Sequence, residues 1–170
     1  MSTAPATELG PFSAPGAHTT PWASALAILE SAEVFWFSTV RPDGRPHVTP
    51  LLAVWSLDAI CFTTGRQERK ARNLARNPRC ALTTGTNSLT GTDVTIEGTA
   101  AIVTEPADRE RAAADFRRKY GEHLATTWSG LAEAVAAGET PLYRVAPAVG
   151  FAFGKLPISS QTSYTWSAAR

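Results

Sequence analysis

A strict alternation of side chains between Asp93 and Val103 is the feature of this sequence that most constrains its fold. Mostly polar residues occupy every second position, and apolar or small residues lie between them, at Val94, Ile96, Gly98, Ala100 and Ile102. A period of two over this length is typical of an antiparallel strand that buries one face and exposes the other. The chain is therefore predicted to contain an antiparallel sheet.

Shorter strand-like segments, rich in β-branched and aromatic residues, surround this strand. They cover residues 34–40, 47–55, 60–64, 79–84, 142–145, 149–153 and 160–166. Pro42-Asp43-Gly44 predicts a tight turn after the first segment, because proline fixes φ and glycine accepts a positive φ. Pro50 has no N–H to donate to a ladder, so the second segment is predicted to be bulged there or to lie at a sheet edge. The first three segments are predicted to form a meander.

Helical spacing of apolar residues alternates with these strands. It predicts helices over residues 22–31 and 107–120, the second ended by Gly121. A further helical stripe follows at Leu124, Trp128, Leu131 and Val135. Residues 66–77 are polar and compatible with a helix that Asn77-Pro78 ends. Short strands, tight turns and intervening helices together predict a small antiparallel barrel that carries helices.

The composition is that of one globular domain behind an arm. The 170 residues are 44 % hydrophobic and 18 % charged, a balance that disordered chains do not show. Residues 1–21 carry four prolines among small residues and are predicted to be a flexible arm that forms no ladder, ahead of a single domain over 22–170. The sequence shows no secretory signal and no apolar run near the roughly 20 residues of a membrane span, so we expect no membrane association and a cytoplasmic location. Cys61 and Cys80 are predicted to be reduced core thiols.

Most motifs that would define a chemistry are absent from the sequence. No G-x-G pair, P-loop, G-x-S-x-G elbow or H-E-x-x-H helix is present. The histidines and cysteines are scattered without the spacing of a metal site. We therefore predict no metal ligand, and we assign no catalytic residue.

The positive feature is a concentration of charge between residues 66 and 79. Six cationic side chains and one Glu68 give this stretch a net charge of +5 in a chain whose total is +1; the cations are Arg66, Arg69, Lys70, Arg72, Arg76 and Arg79. Cations at the start of a helix predict an anion site, for which phosphate is the usual ligand. A solvated basic surface and a nucleic-acid contact are the alternatives. The lack of interleaved aromatic residues and the net acidic remainder of the chain argue against nucleic acid.

Four blocks of sequence carry a family resemblance in the same order along the chain. They are FSTVRPDGRPHVTP at 37–50, TTG with RKARNLARNPR within 63–79, VTIEGTA at 94–100, and FGK with SQT at 153–155 and 160–162. In these blocks the chain resembles the pyridoxamine 5′-phosphate oxidase-like proteins, also called the flavin/deazaflavin split-barrel family. The resemblance implies a mostly β split barrel of the FMN-binding type, with six to seven antiparallel strands and flanking helices. It also implies a homodimer with cofactor grooves at the subunit interface.

The same resemblance implies three groups of cofactor-binding residues. The phosphate is held by Thr63, Thr64, Arg69 and Lys70, with Asn73 beside them. The ring system is lined by His47, Val48, Thr49 and Pro50. The groove is closed by the partner's C-terminal segment, at Ser160, Gln161 and Thr162. Relatives tend to carry arginine where this chain has Ser163, which weakens the expected closing contact.

The resemblance implies an oxidoreductase that uses a flavin-type cofactor, F420 or FMN, to transfer hydride to or from a small organic substrate. Such a reaction needs no side-chain nucleophile, because the cofactor carries the chemistry. The surplus cations Arg66, Arg72 and Arg76 would suit the oligoglutamate tail of F420 and slightly favour it over FMN. The alternative is a non-catalytic carrier or sensor of the same fold that binds flavin, F420 or haem.

Overall fold

A computed structural model describes residues 4–124 and 129–167, and the side chains of 122–124 are outside the description. Within this part of the chain, nine antiparallel strands form a sheet that four helices flank. The strands are β1 (Ala6–Leu9), β2 (Phe35–Val40), β3 (Pro46–Leu51), β4 (Ala53–Ser56), β5 (Ala59–Thr63), β6 (Arg79–Thr83), β7 (Thr92–Ile102), β8 (Leu142–Gly154) and β9 (Ser160–Thr165). The helices are α1 (Trp22–Ser31), α2 (Arg69–Leu74), α3 (Pro106–Leu124) and α4 (Leu131–Ala137).

The sheet has the strand order β1-β9-β8-β7-β6-β2-β3, and β5 joins β8 and carries β4. The mostly β, antiparallel prediction is confirmed, although the strands number nine rather than six or seven. The pairings between the described strands do not close the sheet into a ring. Strand β8 has β7 on one side, and its other side pairs first with β5 and then with β9.

The alternating strand is the central element of this sheet. Strand β7 buries Val94, Ile96, Gly98 and Ala100, as predicted, whereas Ile102 at its end is exposed. Residues 142–153, predicted as two strands, form the single strand β8 with a register shift opposite Glu97 and Gly98. The bulge accommodates Pro147, which lies opposite Gly98. A Cβ at Gly98 would lie 2.1 Å from the carbonyl oxygen of Ala146, so only glycine allows this close approach.

The prediction that the N-terminal arm forms no ladder is wrong. Strand β1 pairs with β9 along its whole length, and Pro5 just before it is buried. The hydroxyl of Tyr164 in β9 donates to the carbonyl of Thr20 at 2.6 Å, which holds the end of the arm as well. The arm pairs because β9 offers a free edge of backbone donors and acceptors, which composition does not reveal.

The predicted three-strand meander is also wrong, because the second segment divides at Leu52. Strand β3 pairs with β2, whereas β4 pairs with β5. The backbone of Ala53, the first residue of β4, is also held by helix α3: its N–H donates to the Tyr120 hydroxyl at 3.3 Å, and its carbonyl accepts from Lys119 Nζ at 2.9 Å. As predicted, Pro50 lies in an edge strand, since β3 has no second partner among the described strands.

Two apolar cores support this sheet. One fills the space inside the strands and under α1, around Phe35, Phe37 and Phe62. The other lies between β4, β5 and the helices α3 and α4, around Phe116. Cys61 and Cys80 are free thiols, as predicted, and burial raises the pKa of each to about 12.

The structure confirms the predicted helices in part. Helix α1 has the predicted bounds, whereas α3 continues past Gly121 to Leu124. Helix α2 covers six residues, much less than the predicted 66–77. Trp128 lies outside the described residues. None of the described helices has the length and apolar character that a membrane span requires.

Candidate functional site

A groove of about 380 Å³ opens where β3 and β5 end, beside α4 and the turn that leads into α2. Most of its polar lining comes from the predicted phosphate segment, and its apolar lining comes from three leucines; the residues are Leu51, Leu52, Thr63, Thr64, Gly65, Glu68, Lys70, Leu131 and Thr140. The structure therefore brings Thr63, Thr64 and Lys70 to one cavity. The leucines, Glu68 and Thr140 were not predicted.

The two threonines differ in what their hydroxyls do. Thr63 Oγ1 donates to the carbonyl of Pro141 at 2.9 Å and lies 3.0 Å from Thr140 Oγ1, which ties the end of β5 to the segment before β8. Thr64 is 4 % exposed, and its Oγ1 makes no hydrogen bond of ordinary geometry to a described residue, although its side chain lies close enough to Glu68 to lower the pKa of that carboxyl. A buried hydroxyl without a partner is costly, so it marks a position where a ligand atom would be stabilising.

A carboxylate lies among the donors of this groove. Glu68 Oε1 accepts the N–H of Gly65 at 2.9 Å, and Oε2 pairs with the Lys70 ammonium. The Lys70 hydrogen bond is the main reason that the pKa of Glu68 lies below its ordinary value; burial opposes the shift, and the Gly65 N–H and the nearby Thr64 side chain add to it. The donors at this position thus hold an anion, supplied here by the chain itself.

The remaining cations of the basic segment have a different setting. Arg66, Arg69, Arg72 and Arg76 are exposed and are not among the residues that line the groove. None of them forms an ion pair with a described residue. Helix α2 is too short to contribute a substantial dipole, so the anion contacts rest on Gly65 and Lys70.

Strand β3 places the predicted ring-lining residues along the sheet edge. His47 and Thr49 are half-buried on one face, and Val48 and Pro50 are exposed on the other. Their side chains therefore cannot all contact one face of a flat ring. What they share is the outer backbone edge of β3, which has no strand partner in the described part of the chain.

His47 connects this strand to the basic segment. Its Nδ1 lies 3.4 Å from Thr39 Oγ1, which also accepts a hydrogen bond from Asn73 Nδ2 at 2.9 Å. Partial burial and the positive charges of Arg41, Lys70 and Arg69 lower the pKa of His47. His47 is therefore a neutral hydrogen-bonding group at pH 7, close to the cations of the candidate phosphate site.

Two predicted contacts have no surface through which a ligand could reach them. Asn73 is fully buried under β2, and its Oδ1 has no partner among the described residues. Thr162 is also fully buried, and its Oγ1 accepts the N–H of Thr20 at 2.8 Å. Asn73 therefore positions Thr39 and His47, and Thr162 anchors the arm. The amphipathic spacing of α2 did not show that Asn73 faces inward.

The C-terminal segment and the groove are at opposite ends of strand β8. Thr63 pairs with Leu142 at the start of β8, whereas Thr162 pairs with Ala152. Ten residues of β8 separate these positions, a length of at most about 33 Å at roughly 3.3 Å per residue. Gln161 is held by the arm, because its carbonyl accepts the N–H of Gly10 at 2.6 Å. Ser160 and Gln161 are half-exposed at this end of β8.

The outer face of β2 and β3 is apolar and accessible. Trp36 and Val40 in β2 are 46 % and 40 % exposed, and Val48 in β3 is 55 % exposed. A shallow groove of about 570 Å³ continues this face across β6 and β7, with Ala81 and Val149 in its lining. No group of three or more potential metal ligands occurs in the residues that the structure describes.

Comparisons with known proteins identify the fold and the family. The family model described as pyridoxamine 5′-phosphate oxidase matches residues 22–152. A search of the curated proteins found no significant match. Similar solved structures include the conserved hypothetical protein Rv2991 from Mycobacterium tuberculosis, with 24 % identity, a TM-score of 0.63 and coverage of 79 % of this chain and 85 % of that one.

Two further structural neighbours have names that state a ligand. The heme storage protein HutZ from Vibrio cholerae has 19 % identity and a TM-score of 0.59 over 76 % of this chain and 90 % of its own. A protein named F420 reductase has 22 % identity and a TM-score of 0.55 over 73 % of this chain and 93 % of its own. At these identities the likeness is one of fold.

Proposed function

This chain belongs to the pyridoxamine 5′-phosphate oxidase family, and on that premise we propose that it is an oxidoreductase that binds F420 or FMN and transfers hydride to or from a small organic substrate. One observation carries the proposal: donors that already hold a carboxylate lie in a groove whose other wall is apolar. A phosphorylated, planar organic molecule needs this combination of an anion contact and an apolar surface.

The residues at the inner end of the groove fit a phosphoryl group. The Gly65 N–H and the Lys70 ammonium are donors to an anion, and the buried Thr64 hydroxyl can supply a further hydrogen bond. Lys70 is held in place, since only 11 % of its side chain is exposed. These groups would fix the position of the cofactor and not react with it.

The residues along β3 would orient the ring. The free backbone edge of β3 offers N–H and C=O groups to the polar edge of a tricyclic ring, and Pro50 leaves one donor out of that edge. Neutral His47 can exchange a hydrogen bond with the ring without adding charge. Leu51 and Leu52 would keep water from one side of the groove. When bound, the cofactor supplies the hydride chemistry.

A homodimer is part of the proposal. The accessible apolar face around Trp36, Val40 and Val48 would be covered by a second copy. Thr63 and Ser160 pair with opposite ends of β8, so we propose that the two parts of the site come from different copies. In a dimer, Ser160 and Gln161 of one copy would close the groove of the other.

We favour F420 over FMN because of the unpaired cations outside the groove. Arg66, Arg72 and Arg76 are exposed in the same segment of chain as Lys70 and would attract a polyanionic tail. One structural neighbour of this chain is named F420 reductase. The same contacts accept the phosphate of FMN, so FMN is the second cofactor to be tested.

A second candidate function is a carrier or sensor that binds a cofactor without turnover. Its support is the likeness to the heme storage protein HutZ and the presence of His47 at an accessible sheet edge. Haem ligation by His47 would shift and sharpen the Soret band of the haem, and His47→Ala would abolish that change. The same substitution in a flavin or F420 site would weaken binding without abolishing it.

The test is a fluorescence titration of the purified protein with F420 and FMN, and an absorbance titration with haem. We expect F420 or FMN to bind at micromolar concentration and Lys70→Ala to weaken binding at least about tenfold, as loss of a charge-assisted contact does. Arg111→Ala, on the exposed face of α3, is the matched control and should bind like the wild type. Equal binding by Lys70→Ala and the control would refute the assignment of the site.

A further inference from the structure

Glu68 is the one acidic residue of the basic segment, and its carboxylate lies at the position proposed for the cofactor phosphate. Oε1 takes the Gly65 N–H, and Oε2 takes the Lys70 ammonium. Both donors belong to the proposed phosphoryl contact. A bound phosphate and the Glu68 carboxylate would therefore compete for the same two groups.

The two partners in this ion pair differ in their freedom to move. The side chain of Lys70 is 11 % exposed, whereas that of Glu68 is 51 % exposed. Glu68 can thus turn into solvent while Lys70 and the Gly65 N–H remain in the groove. Ordering a half-exposed carboxylate in one geometry is costly in side-chain entropy, so a ligand with more contacts can displace it.

We propose that Glu68 is an internal competitor for the phosphoryl group and makes this site select a singly charged phosphodiester over a doubly charged phosphomonoester. The inference rests on the proposed function and names the chemical class that the site prefers. F420 carries a phosphodiester, and FMN carries a phosphomonoester. The selectivity follows from charge. After displacement the Glu68 carboxylate is still attached to the turn that binds the ligand, and it therefore repels the ligand's negative charge.

The charge of the ligand determines how much Glu68 opposes binding. A phosphomonoester carries between one and a half and two negative charges at pH 7, about twice the charge of a phosphodiester. Repulsion by a neighbouring carboxylate scales with that charge. Removing the Glu68 charge should therefore help FMN more than F420.

A purely structural role for Glu68 predicts the opposite sign. If the carboxylate only holds the turn at Gly65 in shape, its loss would loosen that turn and weaken every ligand. Glu68→Gln tests the two cases, because the amide oxygen can still accept the Gly65 N–H while the charge is lost. Glu105→Gln, an exposed acid outside the groove, is the matched control.

The experiment compares wild type, Glu68→Gln and Glu105→Gln in titrations with FMN, F420, riboflavin and the phosphate-free deazariboflavin core of F420. We expect Glu68→Gln to bind FMN about tenfold and F420 about threefold more tightly, in line with the loss of one neighbouring charge. The two phosphate-free compounds should show no change. Thermal unfolding with inorganic phosphate gives a second readout, in which phosphate should stabilise Glu68→Gln more than wild type.

Three results would overturn the inference. These are weaker or unchanged FMN binding by Glu68→Gln, an equal gain for FMN and F420, and an equal gain for riboflavin. If wild type binds a cofactor in any of these cases, the proposed function stands without the inference. If no protein binds a cofactor but phosphate still protects Glu68→Gln more than wild type, the proposed function fails and the competition by Glu68 stands.

Discussion

Replacing Thr64 by valine should stabilise the free protein and weaken cofactor binding. The Thr64 hydroxyl is buried and makes no hydrogen bond of ordinary geometry to a described residue, and the side chain is 4 % exposed. A buried, unsatisfied polar group costs about 1–3 kcal/mol, and valine has the same shape without the hydroxyl. We therefore expect the free energy of unfolding to rise by about 1 kcal/mol in Thr64→Val, which shifts Tm upward by roughly 2–4 °C.

The neighbouring Thr63→Val is the matched control. Its hydroxyl donates to the carbonyl of Pro141 at 2.9 Å, so the same chemical change should cost about 1 kcal/mol of stability. Urea unfolding of both variants measures the two shifts, and titration with F420 or FMN measures affinity. Thr64→Val should bind the cofactor about tenfold less tightly, for the loss of one hydrogen bond in a buried site. If Thr64→Val is destabilised as much as Thr63→Val, its hydroxyl is not an empty ligand position and the reasoning fails.

Three further substitutions test the fold that supports the site. Gly98→Ala should destabilise the protein by about 2–4 kcal/mol in urea, since its Cβ would lie 2.1 Å from the Ala146 oxygen; an unchanged midpoint would contradict the tight bulge. Asn73→Ala should cost about 1–2 kcal/mol, because Thr39 loses the 2.9 Å hydrogen bond from the buried amide, and a neutral effect would count against the positioning role. Burial lowers the pKa of Lys119 to about 8 from 10.5, so between these values the unfolded chain holds more protons and stability rises with pH. The stability of wild type relative to Lys119→Met should therefore increase from pH 7.5 to pH 10, and a constant difference would contradict the shift.

The sequence predicted one strand over residues 47–55, where the structure has the two strands β3 and β4. The polar contacts at this split explain why the prediction was wrong. Residues 47–55 have the composition of one strand, and nothing within them requires a break at Leu52. At this break Tyr120 and Lys119 of helix α3 bind the backbone of Ala53, a contact between segments far apart in the chain. The divergence of the two hairpins opens the groove at Leu51 and Leu52.

In the candidate site, too, some features were predicted from the sequence and others were visible only in the structure. The charge run and the Thr-Thr-Gly turn predicted an anion contact, and the structure places Thr63, Thr64 and Lys70 on one groove. The contact between Glu68 and the donors required coordinates, although its position as the lone acid among six cations was visible. The inward direction of Asn73 depends on the register of α2 against β2, which side-chain spacing alone leaves open.

The sequence alone was sufficient to predict structure wherever a short stretch of chain determines its own conformation. The alternation in β7, the bounds of α1, the turn at Gly44 with φ +85° and the edge position of Pro50 all follow from residues that are near neighbours. The tertiary structure alone decided the pairing of the arm with β9 and the placement of the two halves of the proposed site at opposite ends of β8. Those features depend on backbone groups that every residue carries and on contacts between segments far apart in the chain. The pattern of side chains along the sequence therefore does not predict them.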